Sequence, residues 1–254
     1  MTTVLKLGGS VITDKDRRET VDLPALEAAA TAVADSFADG SDERDEHEDL
    51  VIVHGGGSYG HFHAEEHGVS TTTGTHDAHG ALAIHDAMKR LNGHVLDAFG
   101  QREVPTLPVH PFSVGARDAD GDLTFPLSSV RTMLDEGFVP VLHGDVVAHA
   151  GEGVTVVSGD ELVVRLAEGL DADRVGLCST VPGVLDTDDE VVPEIREFGD
   201  VAAALGGSDS TDVTGGMAAK VRSLLDLGAP AHIFGPDGIA PFLAGESPGT
   251  RIDG

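Results

Sequence analysis

The sequence lacks tryptophan and has one cysteine, one tyrosine and only four lysines in 254 residues. The single cysteine, Cys178, excludes an internal disulfide and lies in the apolar run 175–178, which favours a small buried side chain over a nucleophile. No run of 18 apolar residues is present, so no membrane-spanning helix is expected. The chain enters an apolar strand pattern directly, with no room for a signal peptide. We therefore expect a cytoplasmic protein.

Positive charge is also scarce. The chain has 16 basic and 44 acidic residues, so its formal net charge is −28. The acidic residues are spread along the chain, with one dense patch at 41–49, and apolar periodicity persists around them, which argues against disorder. This composition resembles that of halophilic proteins, whose carboxylate surface stays soluble in high salt. It repels nucleic acid and anionic lipid, so neither is expected as a partner.

Amphipathic helical patterns alternate with short apolar strands, many of which end in glycine loops. The predicted strands are 4–7, 50–54, 106–109, 139–142, 174–177 and 231–234, and a hairpin is predicted at 146–157. The predicted helices are 23–38, 58–67, 78–99, 126–136, 160–167 and 216–227, with Asp160 as the cap of the fifth. The residues after 234 show only a weak pattern. The alternation predicts an α/β fold with a mainly parallel sheet that is covered on both faces.

The glycine turn after the second strand, His54-Gly55-Gly56-Gly57, is the most informative stretch. Glycines at a strand-to-helix turn expose backbone N–H groups, and the helix N-terminus that follows adds partial positive charge, which together suit an anion such as phosphate. Ligands of such sheets bind at the carboxyl ends of the strands, where the other glycine loops of this chain also lie.

Two other interpretations of this region are possible. The spacing Gly55-x-Gly57-x-x-Gly60 matches a dinucleotide fingerprint, but the acidic residue expected about 20 positions later, near Asp77, falls in a polar loop that opens a helix. His63-x-x-Glu66-His67 matches a zinc peptidase spacing, although 13 histidines make chance matches easy. Solvated residues on a helix face are the simpler interpretation of this second motif.

The scarce lysines favour phosphate. Lys6 precedes Gly8 and Gly9, Lys15 closes the loop after them, and Lys220 follows Gly216 by one helical turn, so three of the four lysines lie beside glycine loops. No G-x-x-x-x-G-K-[ST] loop is present, which excludes a Walker-type enzyme, and the H-R-D and D-F-G signatures of protein kinases are absent as well.

Five motifs in register resemble those of the amino acid kinase superfamily. They are Lys6-Leu-Gly8-Gly9-Ser10, His54-Gly-Gly-Gly57, Ser158-Gly159-Asp160-Glu161, Ser179-Thr-Val-Pro-Gly183-Val and Thr211-Asp-Val-Thr-Gly215-Gly216-Met-Ala-Ala-Lys220. Within it, Ser10-Val-Ile-Thr13-Asp-Lys15 and Gly57-Ser-Tyr-Gly60-His61 resemble the isopentenyl phosphate kinase branch. The histidine after the glycine turn separates that branch from the amino acid, carbamate and uridylate kinases.

The resemblance implies an open three-layer α/β/α sandwich and an ATP-dependent kinase that phosphorylates isopentenyl phosphate to the diphosphate. Residues 1–157 would form an N-terminal lobe for the phosphate acceptor, and residues 158–254 a C-terminal lobe for ATP. Mg²⁺ would be carried by ATP without a protein metal site, and the chain would form a homodimer. The alternatives are a superfamily member acting on uridylate, acetylglutamate or carbamate, and a non-catalytic nucleotide or anion sensor.

The resemblance also assigns roles to residues of this chain. Lys6 and Lys220 would contact the β- and γ-phosphates of ATP, Lys15 would neutralise the transferring group, Asp160 would hold the lysines, and His61 would donate a hydrogen bond to the acceptor phosphate. The implied ATP-binding residues are Lys6, Gly8, Gly9, Ser10, Gly56, Ser179, Thr180, Gly183, Asp186, Gly215, Gly216 and Lys220. The implied acceptor-binding residues are Gly55, Gly56, Gly60, His61, Gly144 and Gly159. The apolar stripe of helix 78–99, which comprises Leu82, Met88, Leu91, Val95 and Phe99, is one expected wall for the tail of the acceptor.

Overall fold

The computed structural model describes residues 1–38, 49–205 and 216–254. Most of the acidic patch at 41–49 lies outside the described residues, and so does the predicted ligand residue Gly215. None of the described helices is both long and apolar enough to cross a membrane.

Helices and strands alternate along the described chain, as the sequence predicts. The strands are β1 (Thr2–Leu7), β2 (Asp49–His54), β3 (Thr106–Pro108), β4 (Ala116–Arg117), β5 (Leu123–Thr124), β6 (Val139–His143), β7 (Asp145–His149), β8 (Gly153–Val157), β9 (Arg174–Cys178), β10 (Glu194–Ile195), β11 (Ala231–Phe234) and β12 (Thr250–Ile252). The helices are α1 (Gly9–Ile12), α2 (Leu23–Ala38), α3 (Gly57–Glu66), α4 (Ala78–Gly100), α5 (Ser128–Asp135), α6 (Gly159–Leu170), α7 (Ala202–Leu205), α8 (Gly216–Leu225) and α9 (Ile239–Leu243).

Eight strands form the central sheet, in the order β10-β12-β11-β9-β1-β2-β6-β3. All neighbouring pairs in it are parallel except β11 with β12. The mainly parallel sheet is therefore confirmed. β1 lies between β2 and β9, so the chain leaves β1 toward one side of the sheet and returns on the other, and this reversal creates the crevice where ligands of such folds bind.

Helices cover both faces of the sheet, because β1 and its neighbours are apolar on both sides. Leu5 and Leu7 pack in a core with α2, α4 and α9, while Val4 packs in a second core with α5, α6 and α8. Successive strand residues point to opposite faces. Lys6 therefore points to the same side as Val4, toward α6, and this alternation determines which helix can supply its partner.

The predicted hairpin forms a second sheet beside the central one. β7 and β8 pair antiparallel, and together with the two short strands β4 and β5 they give the order β5-β4-β7-β8. Val147 and Val157 are fully buried in the core that also contains α6. The hairpin therefore packs against the central layers and brings the end of β8 to the edge where β1 and β6 end.

Three details of the sequence prediction are wrong. Ser158, and not Asp160, caps α6, since the Ser158 hydroxyl accepts a hydrogen bond from Glu161 N at 3.1 Å. Leu82 does not belong to the buried stripe of α4, because its side chain is 50% exposed. The tail after 234 contains α9 and β12, whose short lengths leave too few residues for a visible period.

Candidate active site

Four neighbouring parallel strands, β1, β2, β6 and β9, end at the same edge of the sheet, and their following loops enclose one cavity. Most of the predicted site residues line it, namely Lys6, Gly8, Gly9, Ser10, Gly55, Gly56, Gly60, His61, Gly144, Gly159, Asp160, Ser179, Thr180 and Lys220. These residues come from positions 6 to 220 of the chain, so the fold brings residues that are distant in sequence to one cavity.

The first two glycine loops touch each other through their backbones. A Cβ on Gly9 would lie 2.2 Å from Gly57 N and 2.7 Å from its Cα, so only glycine fits there. Thr13 ties the loops together, because its hydroxyl donates to Gly9 O at 2.8 Å and accepts from Ser58 N at 3.0 Å. Both loops thus face the same ligand space as one rigid unit, which suits the binding of a phosphate by backbone N–H groups.

Two lysines and one carboxylate form the charged end of the cavity. Lys6 Nζ lies 2.7 Å from Asp160 Oδ1, and Lys220 Nζ lies 4.0 Å from the same oxygen. Asp160 is in the first turn of α6, on the side of the sheet to which Lys6 points. Gly159 leaves room for the Lys6 stem, since a Cβ there would lie 3.2 Å from Lys6 Cε.

The charge on Asp160 is secured by its neighbours. Burial raises the pKa of this carboxyl, but the charges of Lys6 and Lys220 and the hydrogen bond from Lys6 outweigh it, so the pKa lies below its usual value. Lys6 and Lys220 are thus held beside a charged carboxylate in the cavity lining. From there their ammonium groups can contact the phosphates of a nucleotide.

Part of the cavity lining is apolar. We call it the apolar wall, and it consists of Val11, Ala64, Ile84, Met88, Val156 and Val157. His61, on α3, also lines the cavity, and its ring lies close to Gly56. Of the residues in this wall, the sequence analysis predicted only Met88, as part of the apolar stripe of α4. The other five belong to four different elements, and nothing in their local pattern distinguishes them from ordinary core residues.

Asp145 is a cavity residue that the motifs did not indicate. It is buried at the start of β7, and its carboxylate accepts hydrogen bonds from His85 Nδ1 at 2.8 and 3.0 Å. The pair joins α4 to β7 behind the apolar wall. A buried carboxylate with a histidine partner is held in one orientation, so this contact stabilises the floor of the cavity.

Four other described residues of the predicted site lie outside the cavity. Lys15 is exposed in a neighbouring groove that shares Ser10 and Thr180 with the cavity. A Cβ on Gly183 would lie 2.7 Å from both Thr250 Oγ1 and Val191 Cγ1, so packing alone requires this glycine. The remaining two have structural positions of their own: Asp186 Oδ1 accepts from two backbone amides of its own loop, and Gly216 begins α8 with a φ of +67°.

The groups behind the other sequence interpretations have structural partners. His63 is buried rather than solvated, and its Nε2 lies 2.6 Å from Glu19 Oε1, while Arg18 Nη2 lies 2.6 Å from Glu66 Oε2. The Arg18 guanidinium therefore contacts two residues of the zinc peptidase spacing, His63 and Glu66, although the ligand atoms of these two and His67 lie within 4.8 Å of one another. Asp77 caps α4 by accepting from two of its first amides. It therefore does not lie at a strand end, as a dinucleotide site would require.

Cys178, at the end of β9, is buried, as the sequence predicts, and burial raises the pKa of its thiol to about 12. A thiol with such a pKa stays protonated at neutral pH, and only the thiolate is a strong nucleophile. This residue is therefore part of the core and not of the chemistry.

Comparison with known proteins gives concordant results. The family model of the amino acid kinase family matches residues 1–234. The chain is 68% identical to the isopentenyl phosphate kinase of Haloferax volcanii over 251 residues, covering 99% of this chain and 98% of that protein. It is 32% identical to the isopentenyl phosphate kinase of Methanocaldococcus jannaschii over 263 residues, covering 100% and 99%. A crystal structure of an isopentenyl phosphate kinase superposes with a TM-score of 0.82 at 30% identity, covering 99% of this chain and all of that one.

Proposed function

Since the chain belongs to the amino acid kinase family, we propose that it acts as an isopentenyl phosphate kinase, which transfers the γ-phosphoryl group of ATP to isopentenyl phosphate. The product is isopentenyl diphosphate, an intermediate of isoprenoid biosynthesis. The observation that carries the proposal is that one cavity has both kinds of lining. Its lysines suit a nucleotide phosphate, its apolar wall suits a hydrocarbon tail, and the glycine loops and His61 line the same cavity.

The chemistry requires alignment and charge neutralisation more than proton transfer. An oxygen of the acceptor phosphate forms a bond to the γ-phosphorus, and the bond from that phosphorus to the β-bridging oxygen breaks, which releases ADP. Because the second pKa of a phosphate monoester is about 6, the attacking oxygen is already ionised near neutral pH. No general base is needed.

The lysines supply the charge. A cation about 4 Å from a phosphate charge contributes roughly 4 kcal/mol at an effective dielectric of 20. Lys6 Nζ is held 2.7 Å from Asp160 Oδ1, so its ammonium is oriented by the protein itself and needs little rearrangement. We assign the contact with the β- and γ-phosphates to Lys6 and Lys220. Lys15 would approach the transferring group from the groove next to Ser10.

The residues of the cavity fit a Mg²⁺ ion that is carried by ATP. The two carboxylates that line the described cavity are Asp145 and Asp160, and both are engaged, by His85 and by the lysines respectively. Mg²⁺ commonly keeps several waters and binds substrate phosphates in place of a full set of protein ligands. When bound, the ion would neutralise charge on the phosphates of ATP.

A panel of acceptors tests the proposal. With ATP, Mg²⁺ and molar KCl, we expect turnover of isopentenyl phosphate to exceed that of uridylate, acetylglutamate and carbamate by several orders of magnitude. A clear preference for any of the latter would refute the assigned acceptor. Tight ATP binding without ADP release for any acceptor would instead support a nucleotide or anion sensor. Related short-chain monophosphates belong in the panel, since one methylene changes binding in a pocket by only about 1–3 kcal/mol.

His61 provides the second test, because it distinguishes the acceptor from the nucleotide. His61→Ala removes a hydrogen-bond donor to an anion, so we expect kcat/KM for the acceptor to fall about 10- to 100-fold with little change in the KM for ATP. The matched control is His76→Ala, which removes an exposed histidine outside the cavity. Equal kinetics of the two variants would contradict the role assigned to His61.

The remaining assignments are proposals of the same kind. Residues 1–157 would bind the acceptor and residues 158–254 the nucleotide, with Ser179, Thr180, Gly183, Asp186 and the segment 215–216 around ATP. A homodimer in the cytoplasm of a salt-adapted cell would fit the acidic composition. Sedimentation in molar and in low salt tests the assembly, and loss of activity in low salt tests the adaptation.

A further inference from the structure

Two buried histidines stand directly behind the glycines of the phosphate cavity. His54 ends β2 and His143 ends β6, and the two are paired in the sheet register. Both side chains are fully buried, and their rings stack with centroids 5.4 Å apart. The residues that follow them, Gly55 and Gly144, line the cavity. The mechanism proposed above assigns no role to either histidine.

Each ring contacts the carbonyl of the glycine that follows it. His54 Nδ1 lies 3.1 Å from Gly55 O, and His143 Nδ1 lies 2.9 Å from Gly144 O. A carbonyl oxygen can only accept a hydrogen bond, so in both rings Nδ1 must carry the proton. The amides that follow the two carbonyls differ. The one after Gly144 belongs to Asp145, which pairs with Val157 in the hairpin, whereas the one after Gly55 belongs to Gly56, which lines the cavity.

The other ring nitrogens support this protonation state. Asn92 Oδ1 lies 3.1 Å from His54 Nε2, while Asn92 Nδ2 is buried and has no partner among the described residues. Exchanging the oxygen and nitrogen of that amide, which have nearly the same shape, lets Nδ2 donate to Nε2 and removes the unpaired donor. His110 Nδ1 lies 2.9 Å from His143 Nε2 and can donate to it in the same way.

Both rings are neutral at physiological pH. Burial lowers the pKa of His54 to about 4, and burial together with the nearby His54 lowers the pKa of His143 well below its usual value. A neutral ring carries one proton, and the contacts above place it on Nδ1.

The position of each carbonyl determines the direction of the next amide. In a trans peptide the C=O and N–H groups point in opposite directions. If the Gly55 carbonyl is held against the interior, the N–H of Gly56 is turned toward the cavity. Glycine peptides rotate more easily than others, so without this contact the carbonyl could face the phosphate and repel it. Gly56 N also lies 3.9 Å from the place that a Cβ on Gly144 would take, which sets the two peptides side by side.

We propose that His54 is a positioning residue which, as an Nδ1–H imidazole, holds the peptide after Gly55 with its amide toward the bound phosphate and its carbonyl away from it. This inference rests on the proposed function for the identity of the phosphate. The orientation of this peptide follows from the contacts of His54, and the His143 ring supports it by stacking on His54.

Variants that keep one ring nitrogen or the other give the sharpest test. The amide nitrogen of Asn can replace the Nδ1 donor, whereas that of Gln reaches the position of Nε2. We expect His54→Asn to keep kcat/KM for isopentenyl phosphate within about threefold and His54→Gln to lower it about 10- to 100-fold, since one oriented donor to an anion is lost. Equal loss in the Asn and Gln variants would mean that the rings act only by packing.

A second measurement needs no variant and no turnover. Two-bond ¹H–¹⁵N correlation spectra of the wild-type protein report which ring nitrogen carries the proton. We expect a protonated Nδ1 and an unprotonated Nε2 for both histidines between pH 6.5 and 8, and the opposite tautomer would overturn the proposal. If the acceptor panel fails but this tautomer is found, the proposed function is wrong and the positioning role stands.

Discussion

Removing the Lys6 ammonium is the most direct test of the site, because this group pairs with Asp160 in the structure and the proposed function gives it a second partner, the phosphates of ATP. Lys6 Nζ lies 2.7 Å from Asp160 Oδ1, and the Lys6 side chain is only 9% exposed. Lys6→Met keeps the length and the apolar stem of the side chain and removes only the charge and the donors. Loss of activity can then be separated from loss of packing.

The expected magnitude follows from charge and distance. One cation about 4 Å from a phosphate charge contributes roughly 4 kcal/mol at an effective dielectric of 20, which corresponds to a fall in kcat/KM of about 10³-fold. The same substitution leaves Asp160 without its nearest cation. Breaking a buried ion pair costs about 3–5 kcal/mol of folding stability. Asp160 is 24% exposed and keeps Lys220 at 4.0 Å, so we expect the lower end of that range or less.

The double variant Lys6→Met/Asp160→Asn separates the two effects. It removes the unpaired carboxylate, so the free energy of unfolding measured in urea should recover toward the wild-type value. The cation is still missing, so kcat/KM should stay at the level of Lys6→Met or below. Lys89→Met is the matched control, because Lys89 pairs with Asp86 on the exposed surface of α4 and should change kcat/KM less than twofold.

Two outcomes would refute this reasoning. If Lys6→Met keeps kcat/KM within threefold of the wild type, the lysine does not act on the phosphates. If the double variant regains activity along with stability, the loss in the single variant came from misfolding and the charge argument fails.

Two further predictions concern the frame of the site. Gly9→Ala forces a Cβ against Gly57 N, so it should lower the free energy of unfolding, measured in urea, by about 1–3 kcal/mol and remove most activity. Gly93→Ala is the control, because a Cβ on this residue of α4 would meet nothing within 4 Å. It should raise the free energy of unfolding by up to about 1 kcal/mol. The free energy of unfolding should fall as the pH drops from 6.5 to 4. In this range His54 is protonated in the unfolded chain but stays neutral in the folded protein, where its pKa is about 4. The pKa shift of His54 corresponds to roughly 3 kcal/mol of folding stability. The His54→Asn variant should lose this part of the pH dependence. An unchanged pH profile of its stability would contradict the prediction.

Much of the site was predictable because the residues that determine its chemistry lie in short contiguous motifs. Glycines after apolar strands and lysines beside them predict backbone amides and cations at the carboxyl ends of the strands, and the structure brings Gly9, Gly56, Lys6 and Lys220 to one cavity. The motifs also include residues that do not line the cavity. Gly183 belongs to the fourth motif, and a Cβ there would meet Thr250 and Val191. A sequence does not tell whether a glycine makes room for a ligand or for a neighbouring strand.

The apolar wall could not be predicted for a different reason. Val11, Ala64, Ile84 and Val156 belong to separate elements, and each also looks like a core residue in its own element. Only the packing of α3 and α4 against the hairpin leaves them facing a cavity. The Thr13 contact between the two glycine loops was missed in the same way, because its two partners, Gly9 O and Ser58 N, are far apart in the sequence.

The sequence by itself determined the alternation of helices and strands, the parallel sheet and the residue types at its edge, because these depend on local periodicity and on glycine's lack of a side chain. The tertiary structure decided the pairings. Alternation along β1 puts Val4 and Lys6 on one face, but only the packing of α6 on that face places Asp160, 154 residues away, within 2.7 Å of the lysine. The pairing of β2 with β6 likewise sets His54 beside His143, since long-range contacts arise when separate apolar faces bury each other.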